Sequence, residues 1–78
     1  MLHLIFSTQA LTDARQMATP DDVLVLLYPA PEGGAEAALP SAPRVYAAAP
    51  FARSWCAPLE ATELAARVAA AEKLRSWY

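Results

Sequence analysis

The sequence is short of the residues that most often carry catalysis or crosslinks: its 78 residues include one cysteine, Cys56, and one histidine, His3. A single cysteine excludes an intrachain disulfide, and one histidine beside one cysteine cannot form a zinc cluster of the usual spacing. An unpaired thiol is typical of a reducing compartment. We therefore expect a cytoplasmic protein with neither a metal site nor a cofactor.

Long apolar runs and concentrated positive charge are also missing. The two most apolar runs, "LHLIF" and "VLVLLY", fall far short of the roughly 20 residues that span a bilayer. The opening "MLHLIFS" lacks the basic region of a signal peptide. The net charge is −2 and the six basic residues are scattered, whereas nucleic-acid binders carry a basic stripe. The sequence predicts neither a membrane segment nor direct nucleic-acid binding.

The small size limits how much apolar surface the chain can bury. Residues 1–78 make one domain, and at this length only about 60–65% of the unfolded surface is buried on folding. Without a disulfide or a metal, oligomerisation is the remaining common route to stability. Self-association or a partner chain is therefore expected.

Short apolar runs predict four strands. The clearest are residues 2–6 and 23–28, whose continuous hydrophobicity is typical of strands buried on both faces of a parallel sheet. Residues 44–49 form a third, and 56–61 a weaker fourth in which Pro58 indicates an edge strand.

Helical spacing separates the first two strands. Ser7 or Thr8 can cap a helix whose end is set by Pro20, and its apolar positions are Leu11, Ala14, Met17 and Ala18. The stretch "AEAAL" predicts at most a short helix before the third strand.

The carboxyl-terminal segment has the clearest helical pattern. Thr62 can cap it, and Lys73 and Arg75 would complement the dipole in its last turn. Its apolar stripe is Leu64, Val68, Ala71 and Leu74. Alternating strands and helices predict an α/β sandwich with a short, mostly parallel four-stranded sheet. Two good helices cover only part of such a sheet, so apolar surface should stay exposed in a monomer.

Several segments in order resemble the TusB/DsrH family: "MLH" at the start, "LTD" in the first helix, "DDVLVLLY" and "RVYA" as strands, and a terminal "SWY". The resemblance implies a small flavodoxin-like three-layer fold of the DsrEFH type. It also implies a subunit of a cytoplasmic sulfur-relay complex with TusC/TusD-like (DsrF/DsrE-like) chains, serving either 2-thiolation of a transfer-RNA wobble uridine or sulfur oxidation. In that family the TusD- or DsrE-like partner carries the principal sulfur-accepting cysteine.

The chain departs from this family pattern in ways that affect chemistry. It is shorter in the first helix and middle loop, the turn after the second strand reads "YPAPEGG", and the first helix carries no cysteine. Cys56 lies in a different region, so the resemblance assigns it no catalytic role. A non-catalytic structural subunit is therefore the leading interpretation.

Cys56 is nevertheless the one residue capable of carrying a persulfide. Arg53 could lower the pKa of its thiol and Trp55 could shield it. A lone cysteine beside a strand is more often a small buried hydrophobe. A persulfide carrier using Cys56, and a homo-oligomeric module without a sulfur role, remain the alternatives.

Five other residues, in three places along the chain, invite a functional interpretation. His3 has no nucleophile at a specific spacing, so we expect it to face a neighbouring strand or a subunit contact. Asp21 and Asp22 are expected to form a solvated turn. Trp77 and Tyr78 either extend the buried side of the last helix or anchor a subunit interface, where such rings are enriched.

Overall fold

The computed structural model describes residues 1–30, 44–53 and 56–78. Its strands are β1 (Leu2–Ile5), β2 (Val23–Leu26), β3 (Arg44–Ala48), β4 (Ala57–Leu59) and β5 (Leu74–Trp77). Its helices are α1 (Thr8–Met17) and α2 (Ala61–Ala70), and a 3₁₀ turn, Ala49–Phe51, follows β3.

The five strands form one parallel sheet in the order β4-β3-β2-β1-β5. The register places Leu2 of β1 opposite Val23 of β2 on one side and opposite Leu74 of β5 on the other. β1 therefore has neighbours on both sides, and β4 and β5 are the two edges.

The two helices pack on opposite faces of the sheet, which makes three layers. On the α1 side the core contains Ile5, Leu11, Ala14, Leu24 and Leu26. On the α2 side a smaller cluster, Leu2, Val25 and Leu59, is packed by Leu64 and Ala71. Across the sheet, the chain moves in one direction from β1 through α1 to β2, and in the opposite direction from β4 through α2 to β5. Right-handed crossovers therefore put the two helices on opposite faces.

The predicted fold class, a small flavodoxin-like α/β sandwich with a parallel sheet, is confirmed, but the described residues form five strands of this sheet rather than the four predicted. The fourth strand, with Pro58, lies at an edge as predicted.

The predicted terminal helix is too long. α2 begins after Glu60 at the N-cap position, not Thr62, and ends at Ala70. Leu74 and Arg75 belong to β5 instead of the last helical turn. The main reason is that β1 offers an unpaired edge, and pairing there satisfies backbone groups that a frayed helix end would leave to water.

The first helix follows the prediction more closely. The Ser7 hydroxyl accepts a hydrogen bond from the Ala10 N–H at 3.1 Å, which caps α1. Leu11 and Ala14 are buried as the spacing predicts, but Met17, the last residue of α1, is 66% exposed.

The predicted "AEAAL" helix and Trp55 lie outside the described residues. Within the ranges that are described, no helix is long and apolar enough to cross a bilayer.

Candidate functional site

The end of the chain is held by its own domain. Trp77 is the last residue of β5, and its indole N–H donates to Nδ1 of His3 in β1 at 2.9 Å. The indole also packs against the α1-side core, and the Arg75 guanidinium lies 4.1 Å from its ring centroid. Trp77 thus sits on a strand and contacts its own core, rather than continuing a helical stripe.

Asp22 connects three parts of the chain just before β2. Its carboxylate accepts hydrogen bonds from Nε2 of His3 at 2.9 Å, from the Met1 ammonium at 2.9 Å and from the Thr19 backbone N–H at 3.1 Å. Asp22 is 7% exposed. The prediction of a solvated turn is therefore wrong for Asp22, while its neighbour Asp21 is exposed as expected.

The network determines the tautomer of His3. An indole N–H can only donate, so Nδ1 of His3 must accept, and the ring proton resides on Nε2, which donates to Asp22. Both ring nitrogens are thereby occupied, and His3 is 2% exposed. A general base needs a lone pair within reach of a substrate. The His3–Asp22 pair is consequently a structural link between strands.

The same contacts control the charge of Asp22. The hydrogen bond from His3 is the largest cause, followed by those from the Met1 ammonium and Thr19, and together they hold the pKa of the Asp22 carboxyl well below its usual range; burial opposes this lowering. Asp22 is ionised throughout the physiological pH range.

Two clefts lie near this network, at the amino ends of the strands. One of about 320 Å³ is lined by His3, Asp22 and Trp77 together with the charged residues Lys73 and Arg75. The other, about 510 Å³, lies beside the carboxyl end of α2. Ligand sites of open parallel sheets lie beyond the carboxyl ends of the strands. Neither cleft has that placement, and the polar atoms of the network are already paired.

Cys56 is half-buried just before β4 and packs against the α1-side core. The guanidinium of Arg53 donates to the Phe51 carbonyl at 2.6 Å and lies over the Tyr28 ring, 4.6 Å from its centroid. Cys56 therefore contacts hydrophobic side chains of this core, and its persulfide role stays a prediction. In the described part of the chain no three histidine, cysteine, aspartate or glutamate side chains come together as a metal site.

The α2 side of the sheet is unevenly covered. α2 buries none of its own residues, and its contacts reach the smaller cluster through Leu64 and Ala71. The Arg67 guanidinium lies over Tyr46 of β3, 4.9 Å from the ring centroid. Leu64 and Ala71 mark the side of α2 that faces the sheet. At 100° per residue, Arg67 and Val68 lie on either side of that line, so Val68 lies toward β1 and β5, and it is 40% exposed.

Because side chains alternate between the two faces along a strand, the residues on the part of the sheet that α2 does not cover can be identified. Ile5 of β1 faces α1, so Leu4 and Phe6 face the α2 side, where both are half-buried. In β5, Trp77 faces α1, so Leu74 points to the α2 side and is 42% exposed. We call the surface formed by Leu4, Phe6, Val68, Leu74 and Tyr78 the open face.

Tyr78 is the most exposed residue of the open face. Its ring stacks on Phe6 with centroids 4.8 Å apart and planes 7° from parallel, yet Tyr78 remains 84% exposed. One side of the ring is held in place by Phe6 while the other faces outward. The two terminal rings thus separate: Trp77 serves the core, and Tyr78 is presented at the surface.

Sequence reasoning missed Asp22 and Phe6 as parts of these sites. The partners of Asp22 lie up to 21 residues away, so its turn-like local sequence carried no signal. Phe6 was missed because its contact with Tyr78 depends on the pairing of β5 with β1, and the sequence predicted a helix where β5 lies.

Comparisons of the chain with protein-family models, curated proteins and solved structures find no significant match. The resemblance to TusB/DsrH therefore stays a prediction from the residues quoted above.

Proposed function

We propose that this chain is a non-catalytic structural subunit of a cytoplasmic sulfur-relay complex, in which TusC- and TusD-like chains are its partners. Within that complex it supports 2-thiolation of a transfer-RNA wobble uridine by shaping the partner that carries the reactive thiol.

The open face is the observation that carries the proposal. Leu74, Val68 and Tyr78 are 42%, 40% and 84% exposed on one side of the sheet. Exposed apolar side chains are typical of protein-binding sites, and a tyrosine stacked on a neighbouring ring has the character of an interface anchor. A partner that covers this side would complete the layer that α2 leaves unfinished.

The placement of Cys56 favours a supporting role over a catalytic one. The thiol packs against the hydrophobic core at the amino end of β4, whereas a persulfide carrier has to present its sulfur to a donor and an acceptor. The sulfur-accepting thiol is therefore assigned to the partner chain.

Co-expression tests the proposal directly. A tagged copy of this chain is produced with TusC- and TusD-like chains, and we expect all three to co-purify at a fixed stoichiometry. Tyr78→Ser, on the open face, should reduce capture at least tenfold. Met17→Ser is the matched control, because Met17 is 66% exposed on the α1 side of the sheet, is not part of the open face and should leave capture unchanged.

Sulfur transfer gives the second readout. After incubation of the complex with cysteine and a cysteine desulfurase, intact-mass spectrometry should show an added sulfur on the TusD-like chain, and Cys56→Ser should leave that transfer intact. A sulfur found on Cys56, or no partner captured by the unmodified chain, would contradict the proposal.

A further inference from the structure

A side-chain hydrogen bond ties the end of β5 to β1. The indole N–H of Trp77 donates to Nδ1 of His3 at 2.9 Å, and the two ring centroids lie 6.1 Å apart with the planes tilted by 37°. The Phe6 N–H donates to the Trp77 carbonyl at 2.9 Å, so the backbone ladder reaches the same residue. We call the His3–Trp77 hydrogen bond the clasp, because it fixes the residue that precedes Tyr78.

The clasp can form with only one protonation state of His3. An indole N–H donates and cannot accept, so Nδ1 of His3 must keep its lone pair. The other ring nitrogen, Nε2, already carries a proton and donates it to Asp22 at 2.9 Å. A second proton can therefore enter only at Nδ1, where it would set two N–H donors against each other. The imidazolium and the clasp are consequently incompatible.

The groups around His3 do not relieve this conflict. Four charged residues of the described chain line the cleft of about 320 Å³ beside the clasp: Met1 with its ammonium, Asp22, Lys73 and Arg75. Three of these are cations, and the one carboxylate already accepts from Nε2 of His3 and from the chain's ammonium group. In the sheet, β2 places Leu24 beside His3 and β5 places Arg75 there, while α1 contributes the uncharged Met17 to the cleft. The cleft is large enough to admit water, which can accept from a protonated Nδ1.

Electrostatics favour the proton on His3 but oppose the clasp. The ionised Asp22 carboxylate attracts a charged imidazole, so His3 can take up a proton while the chain stays folded. The guanidinium of Arg75 lies 4.1 Å from the Trp77 ring centroid, whereas the N–H edge of that ring points at His3. The edge of an aromatic ring is its positive side, so a charged His3 repels the indole that a neutral His3 binds.

We propose that the clasp is a pH-sensitive switch built into the fold: it is closed while His3 is neutral and opens when His3 takes up a proton at Nδ1. The open form holds one more proton than the closed form, so falling pH favours opening. Histidine is the side chain whose charge ordinarily changes between pH 5 and pH 8. Opening frees the indole and leaves the end of β5, with Tyr78, held by the backbone ladder and the stack on Phe6. The switch lies within this chain and is independent of any sulfur role.

Nuclear magnetic resonance of the full chain from pH 8 to pH 5 tests the switch. The Trp77 indole N–H signal, assigned by its absence from Trp77→Phe, should move toward the position of a solvated indole as the pH falls, with the midpoint of the His3 titration. His3→Gln is the matched control. Its amide oxygen can accept from the indole and its amide N–H can donate to Asp22, but it takes up no proton in this range. The indole signal of His3→Gln should therefore stay in place.

Thermodynamic linkage gives a second readout. If a proton on His3 opposes the clasp, the clasp opposes that proton by the same factor. Trp77→Phe lacks the indole donor, so its imidazole should titrate about 0.5–1 pH unit higher than in the parent, the equivalent of one net hydrogen bond. A contact that only fills space between the rings would leave the midpoint unchanged.

Amide hydrogen exchange locates the opening. The Phe6 N–H, which donates to the Trp77 carbonyl, reports on the end of β5. The Leu27 N–H, which donates to the Ile5 carbonyl at 2.7 Å, reports on the neighbouring β1–β2 ladder. Between pH 8 and pH 5 the protection factor of Phe6 should fall severalfold while that of Leu27 stays the same.

Four results would overturn the inference: a His3 imidazole that stays neutral in the folded chain down to pH 5, an indole signal that does not follow the His3 titration, a Trp77→Phe variant that titrates at or below the parent's pH, or unchanged protection of Phe6. All four are measured on this chain alone. Failure of the switch and failure to capture TusC- and TusD-like chains are therefore separable.

Discussion

The two edges of the sheet are built in opposite ways. β4 has three residues, one of them Pro58, and it is anchored by Leu59, which is 1% exposed. β5 has four residues and no proline, and its anchor is Trp77, held to His3 by a hydrogen bond. The β4 edge is short and is held by a hydrophobic side chain, whereas the β5 edge is longer and is held by a hydrogen bond.

This difference indicates which edge of the sheet is suited to associate with another chain and which is not. Proline removes a donor from the β4 edge, which makes it a poor template for a further strand. The β5 edge keeps its donors and lies beside the open face. Association is therefore expected at the β5 side, and loss of the anchors on the two sides should have different consequences.

The largest effect is expected from the β4 anchor. Leu59→Ala leaves a cavity beside Val25 in the smaller core cluster, and should lower the free energy of unfolding by about 2–5 kcal/mol. Urea unfolding followed by circular dichroism measures it. Ala57→Ser, at an exposed position of the same strand, is the control, with a change within about 0.5 kcal/mol. Equal effects of the two changes would show that β4 is not anchored by Leu59.

The second-largest effect is expected from the hydrogen-bond network of Asp22, near β5. Asp22→Asn replaces an acceptor of three hydrogen bonds with an amide that cannot accept them all, and leaves the Met1 ammonium without its counter-charge. We expect a loss of about 2–3 kcal/mol. The neighbouring Asp21→Asn removes the same charge from an exposed side chain and should change the free energy of unfolding by no more than about 0.5 kcal/mol. Similar losses from both would contradict the network.

Asp22 also predicts how stability depends on pH. Its pKa is lower in the folded chain than in the unfolded chain, because His3, the Met1 ammonium and Thr19 all stabilise the carboxylate. The unfolded state therefore binds the proton more tightly, and the stabilisation is present above the ordinary aspartate pKa of about 3.9 and is lost as the pH falls below it. Unfolding curves from pH 7 to pH 2 should show this decline, and it should be shallower in Asp22→Asn. Parallel declines in parent and variant would rule Asp22 out as the source.

These two sides of the molecule also differ in how well the sequence predicts them. Pro58 and the short apolar runs specify the β2–β3–β4 half, because local hydrophobicity and proline chemistry decide it. The α2–β5 boundary is not signalled: no glycine or proline separates Ala70 from Leu74, and Leu74 falls at helical spacing from Ala71. Pairing with β1 overrides that local preference.

The residues of the candidate site also differ in how well the sequence predicts them. An interface role for Tyr78 follows from the presence of a large ring at the surface, and stays a prediction. Asp22 could not be found locally, because its importance depends on a strand and a chain end that only the fold brings near. The link between Trp77 and His3, 74 residues apart, has the same origin.

A smaller effect is expected from the Trp77 hydrogen bond. Trp77→Phe keeps an aromatic ring on the core but removes the donor to Nδ1 of His3, so the free energy of unfolding should fall by about 1–2 kcal/mol. Nitrogen-15 chemical shifts of the imidazole give a sharper readout. Parent and variant should both keep the Nε2–H tautomer, because Asp22 still accepts from Nε2, but the Nδ1 resonance should move in the variant once the indole no longer donates to it. An imidazole spectrum that the substitution leaves unchanged would contradict the assigned contact.

The smallest effect on the isolated chain is expected at Tyr78, and that smallness is informative. Tyr78→Ala removes a ring that contacts Phe6 on one side and is otherwise 84% exposed, so the free energy of unfolding should change by no more than about 0.5–1 kcal/mol. Association at the β5 side should nonetheless weaken at least tenfold, because an anchor contributes where it becomes buried, not where it is solvated. Measuring both quantities on one variant separates the two roles of the terminal rings. A large loss of stability with unchanged association would make Tyr78 a core residue. The difference between the β4 and β5 edges would then no longer support association at the β5 side.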